Sequence, residues 1–134
     1  MKSYAAQFLA KARENLAAAN DSLARGQVNA ATNRLYYAMY QAMLGCLHHV
    51  TGFRAPATNE HRVVLDTFHA AFVASGNVID EATFRRVAEL KNKRIQADYK
   101  PTSVTTAEIV PLFAAMVPAI DAIVDFAVRR EELP

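Results

Sequence analysis

Apolar residues recur at steps of three and four along almost the whole chain, a periodicity that belongs to amphipathic helices rather than to strands. In the first block Tyr4, Phe8, Ala12, Leu16, Ala19 and Leu23 form such a stripe, interrupted by Lys11 and Glu14 and closed by Arg25 and Gly26. From about Val28 to Thr51 the pattern is apolar on nearly every side: Ala31, Leu35, Ala38, Met39, Ala42, Cys46, Leu47 and Val50, with Tyr36, Tyr37 and Tyr40 added. A helix of that kind is contacted all round, so it is expected at the centre of the fold. Residues 52–57 read as a loop, after which Thr58 or Asn59 is expected to cap a third helix. That helix carries Val64, Leu65, Phe68 and Phe72 and is expected to stop near Gly76 and Asn77.

Asp80 is placed to cap a fourth helix, with Glu81 near the positive end of its dipole. Phe84, Val87, Ala88, Leu90 and Ile95 mark its apolar positions, and Tyr99, Lys100 and Pro101 end it. Thr105 and Glu108 have capping-box spacing and open a last helix that reaches about Arg130. Pro111 and Pro118 fall inside that stretch, and each is expected to kink the helix, unless the true start is Pro111. The glycines are read as helix stops. No segment alternates polar and apolar residues between hairpin turns, so the fold class is all-α, with about five helices.

Composition narrows the picture. The 134 residues, 52% of them hydrophobic, suit a single domain over residues 1–134 with one core. A formal charge of +2 is too small to announce nucleic-acid binding by itself, though a local basic patch remains compatible with it. The single cysteine, Cys46, excludes an intrachain disulfide and fits a reducing compartment, so a cytoplasmic location is expected. Lys2, Lys11, Arg13 and Glu14 break up the N-terminal apolar residues, leaving no signal-peptide core. The longest charge-free stretch of the C-terminal part, residues 109–120, is shorter than the ~20 residues a membrane span needs, so no membrane association is expected.

Chemistry-bearing residues are few. His48 and His49 are adjacent and therefore point about 100° apart on a helix, and no His-Glu-x-x-His spacing occurs, so no metal site is expected. His61 precedes Leu65, Phe68 and Phe72 on one face, which favours a core histidine bonded to a carbonyl or a tyrosine over a functional one. The three tyrosines of the second helix are read as core whose hydroxyls find partners at the edges, ahead of a stacking platform for bases. Cys46 is read as a small buried hydrophobe. The charged run over residues 91–99 is harder to assign to packing. Arg94 stands four residues after Leu90 and seven after Val87, so it continues the inward face, and Asp98 is one turn beyond it. The pair either ties the bundle together, or Lys91, Lys93 and Arg94 form a cationic groove for phosphate, with Asn92 and Tyr99 beside it.

The segment Ala31-Thr32-Asn33-Arg34-Leu35-Tyr36-Tyr37-Ala38-Met39-Tyr40-Gln41-Ala42, then His61 opening a helix with Phe68 and Phe72, then Arg94-Ile95-Gln96-Ala97-Asp98-Tyr99, resembles the HEPN-domain superfamily, specifically its small stand-alone prokaryotic branch. The resemblance implies an up-and-down bundle that dimerises with the two copies of the fourth-helix motif facing a shared cleft. It also implies a toxin–antitoxin-like context beside a small nucleotidyltransferase, the active relatives being metal-independent ribonucleases. Those ribonucleases place a histidine four to six residues after the arginine. Here no histidine follows His69, and Tyr99 stands five residues after Arg94. A phenol of ordinary pKa near 10 is a poor base at neutral pH, so the histidine's step has no evident agent in this motif.

The reading that results is a homodimeric, non-catalytic HEPN-like module without a cofactor, binding a nucleotide, RNA or a nucleotidyltransferase partner. Its expected ligand-binding residues are Arg94, Asp98, Tyr99, Asn92, Lys91 and His61. Two alternatives stand beside it: a divergent metal-independent endoribonuclease using Arg94 with His61 or Tyr99, and a structural dimer in which the Arg94–Asp98 pair only ties the bundle.

Overall fold

A computed structural model describes residues 3–76 and 78–130, and among these every regular element is helical. The helices are α1 (Ser3–Ala24), α2 (Val28–Thr51), α3 (Glu60–Phe68, continued by a π-helical turn His69–Val73), α4 (Glu81–Tyr99) and α5 (Thr106–Arg130). Helix α2 packs against each of the other four, as its all-round apolar pattern requires. Leu35, Tyr36, Met39, Met43, Leu44 and Leu47 are fully buried along it, against Phe68 from α3, Leu90 from α4 and Ile109, Met116, Ile120 and Ile123 from α5.

The α1–α2 contact differs from the stripe read in the sequence. Ala5, Leu9, Ala12 and Ala19 are the buried positions, while Tyr4, Phe8, Leu16 and Leu23 pack at the sides of the seam. Small residues sit at the centre because the helices approach closely there. A Cβ on Gly45 would lie 2.9 Å from Leu9 Cδ2 and 3.3 Å from the Ala5 carbonyl oxygen. Gly45 is therefore no helix stop; it is the residue that lets α1 seat on α2. Gly26, Gly52 and Gly76 do end helices, each with φ between 73° and 80°.

The capping expectations divide. Asp80 Oδ1 accepts from the Thr83 backbone N–H at 2.7 Å. Thr105 and Glu108 bond reciprocally at the start of α5, which begins at Thr106 and not at Pro111. Asn59 precedes α3 but makes no capping bond; it takes the left-handed conformation, which asparagine tolerates. Asn77, expected near the end of the third helix, lies outside the described residues. Helix α5 runs unbroken through Pro111 and Pro118. The two prolines are seven residues apart on the exposed face, as are Ala107 and Ala114 one turn before each, so the carbonyls deprived of partners lie toward water.

By length and composition α5 is apolar enough to cross a membrane. Its apolar face is used within the bundle, where Ile109, Leu112, Met116, Ile120, Ile123 and Val124 are buried.

Candidate functional site

The N-terminal half of α2, the start of α3 and the C-terminal half of α4 converge on Arg94. Leu90 and Val87 carry the inward face of α4, and Arg94 extends that face by one turn, so its side chain enters the core and is only 11% exposed. The guanidinium lies over the Tyr36 ring at 4.9 Å from its centroid, with the Tyr37 ring at 5.7 Å. Those rings supply a cation–π floor. Partners for the N–H groups are poor: Nε is buried without a hydrogen-bond acceptor, and Nη1 stands 3.6 Å from Asp98 Oδ2. That separation is an ion pair but is too long for a hydrogen bond.

Asp98 is held by a different residue. Asn33 of α2 donates its side-chain amide to both carboxylate oxygens, at 3.2 and 3.0 Å. Beneath Arg94, the Tyr36 hydroxyl shares a 2.6 Å hydrogen bond with His61 Nδ1. Burial, partly opposed by the charge of Arg94, pushes the Tyr36 phenol up to about 12, so it stays protonated and is the donor. Burial first, and Arg94 second, lower the His61 pKa, which keeps the imidazole neutral and able to accept at Nδ1. The His61 ring is stacked on Tyr40 at 4.3 Å and 8°. Tyr40 in turn donates to Glu60 at 2.5 Å, and burial together with that carboxylate raises its pKa. The tyrosines thus serve as core with their hydroxyls partnered at the edge, and they also form the floor under the arginine.

Of the residues singled out in the sequence, Arg94, Asp98 and His61 share this cluster. Lys91, one turn before Arg94, is near enough for its charge to depress His61 further. Tyr99 and Asn92 do not belong to it. At 3.6 residues per turn each points about 140–160° away from Arg94. Tyr99 is 73% exposed, and Asn92 lines a shallow groove of about 570 Å³ with Ile95, Gln96 and Lys100 on the outer face of α4. Nor does Lys93 join a cationic groove with Arg94, because it is paired with Glu108 of α5. That pairing and the cap bonds from Thr105 hold the Glu108 carboxyl at about 2.

The cluster adds Asn33, Tyr36, Tyr37, Tyr40 and Glu60 to the residues expected at the site. A signal for most of them existed: Asn33, Tyr36, Tyr37 and Tyr40 fall at i, i+3, i+4 and i+7 on one face of α2. Cys46 takes no part; it is fully buried, which pushes its thiol up to about 12. Among the described residues no three His, Cys, Asp or Glu side chains are grouped to hold a metal ion. Chemically the arrangement offers a poorly neutralised guanidinium, an amide donor and a neutral imidazole at one junction of helices. That set suits a phosphate.

Comparison with known proteins gives one match. No curated protein and no solved structure matches the chain. The HEPN domain family model matches residues 5–115, from α1 through the first turns of α5, and with it the segments that carry Asn33, Tyr36, His61 and Arg94. On that match, which spans most of the chain, the protein belongs to the HEPN-domain family.

Proposed function

We propose that this HEPN-domain chain is a homodimeric, non-catalytic module that binds RNA or a nucleotide, with Arg94 as its phosphate anchor. The observation that carries the reading is the state of that guanidinium: buried, with Nε unpartnered and its nearest carboxylate at 3.6 Å. A phosphate oxygen would provide the charge-assisted bond that the arginine lacks. Fluorescence anisotropy with a labelled single-stranded RNA, repeated over a range of salt, tests it. Arg94→Ala is expected to weaken binding about tenfold and to lower the salt slope by about one. Equal binding by wild type and variant would sink the reading. The nucleotidyltransferase partner and a toxin–antitoxin-like role rest on family resemblance, and a cytoplasmic location rests on the single cysteine. Co-expression with the product of an adjacent nucleotidyltransferase gene, with no complex recovered, would remove the partner and that role.

A second reading, a metal-independent endoribonuclease, is favoured by one observation: Arg94 and His61 both border Tyr36. In that case Arg94 stabilises the phosphate charge and His61 accepts the proton of a ribose 2′-hydroxyl. It ranks second because Nδ1 of His61 is already engaged by Tyr36 and the basicity of the ring is lowered. RNA left intact by concentrated protein, with and without chelator, eliminates it.

A further inference from the structure

Asp98 occupies a position that α4 itself disfavours. It lies in the last turn of the helix, at the negative end of the dipole, where no basic residue accompanies it. One donor holds it there, the Asn33 amide at 3.0 and 3.2 Å, and the Arg94 guanidinium adds an ion pair at 3.6 Å. Guanidinium and carboxamide are the donors that a phosphate takes from a protein, so the carboxylate stands on the two groups a phosphate ligand would use. Its side chain is 25% exposed against 11% for Arg94, so it is also the outer member of the pair.

We propose that Asp98 is the specificity-determining residue of the Arg94 site, a built-in competitor that admits singly charged internal phosphodiesters and rejects doubly charged terminal phosphates. The proposal rests on the phosphate-binding reading of the preceding section. A ligand entering the site takes over Arg94 and Asn33, and Asp98 is turned toward the rim without leaving the neighbourhood. A phosphodiester then brings one negative charge beside it, whereas a phosphomonoester brings nearly two at neutral pH, and the second is repelled. The other charges that act on the neighbouring His61 are those of Lys91 and Glu60, and Lys100 follows Asp98 as the cap of α4.

The test is an NMR titration of the full chain at pH 7.5 with two probes, AMP and the dinucleoside monophosphate ApA, which has one internal phosphodiester and no terminal phosphate. Wild type is expected to prefer ApA. In Asp98→Asn, which keeps an acceptor for Asn33 but removes the charge, affinity for AMP should rise about tenfold and for ApA about threefold. Asp98→Ser should shift the preference in the same direction, and adding Arg94→Ala to Asp98→Asn should abolish the gain. If ApA binds wild type through Arg94 but neither Asp98 variant changes the AMP-to-ApA ratio, the role given to Asp98 is wrong and the binding reading survives. If neither probe binds any variant, or Arg94→Ala binds as wild type does, the binding reading falls and the proposal with it.

Discussion

Burying a guanidinium carries a desolvation penalty that only well-placed partners offset, and those of Arg94 are few. Replacing such a residue by a hydrophobe of similar reach is commonly neutral or stabilising, particularly where the carboxylate left behind keeps another donor, as Asp98 keeps Asn33. Arg94→Leu should therefore leave the melting temperature unchanged or raise it, within about 1 kcal/mol of wild type, while weakening RNA binding about tenfold, as the alanine variant does. A large fall in melting temperature with binding intact would instead identify the arginine as a structural tie. His61 gives a second prediction. Its folded pKa is lowered, so below its ordinary 6.5 the unfolded chain binds more protons than the folded one. Stability is then fully present above about pH 6.5 and is lost as pH falls toward the depressed value, levelling off below it. Urea midpoints measured from pH 7.5 to 4.5 should decline, and His61→Gln should decline less. An identical slope in the variant would assign the acid sensitivity elsewhere, His49 being the other histidine whose pKa is lowered.

The elements show what local chemistry reveals and what it leaves out. Periodicity, the Asp80 cap, the Thr105–Glu108 box and the three terminal glycines are local signals, and each element they mark is present. The site was half legible for the same reason. Arg94 and Asp98 lie one turn apart and could be read together, but the Asn33–Asp98 bond joins residues 65 apart in sequence. Tyr99 is next to Asp98 in the chain, but a helix turns the next residue about 100° away. Gly45 looks like a helix stop in the sequence because its role is a contact between helices, which no local pattern encodes. Alanine at that position gains about 1 kcal/mol of helix propensity but drives a methyl into Leu9 and the α1 backbone, an overpacking cost of about 1 to 3 kcal/mol. Gly45→Ala should thus be destabilising by about 1 kcal/mol net, and Gly45→Val by more. In a Leu9→Ala background the alanine should cost less or become favourable, because the space it needs has been vacated. Additive effects in the double-mutant cycle would place the strain elsewhere.

At the scale of the molecule, the pattern of exposure suggests how two copies would meet. The inner face of α4 is committed to the Arg94 cluster, while its outer face leaves Tyr99 exposed beside the groove lined by Asn92, Ile95 and Gln96. A large exposed aromatic next to an open groove is the kind of surface that self-association covers. If the proposed homodimer forms there, wild type should sediment at twice the chain mass and its melting temperature should rise with protein concentration. Tyr99→Glu should give a monomer whose melting temperature no longer depends on concentration. Because Tyr99 points away from Arg94, that monomer should still bind ApA, with loss confined to longer RNA that bridges both copies. A Tyr99→Glu protein that remains dimeric would move the interface off this face, and one that loses ApA as well would mean that the partner copy completes the Arg94 site.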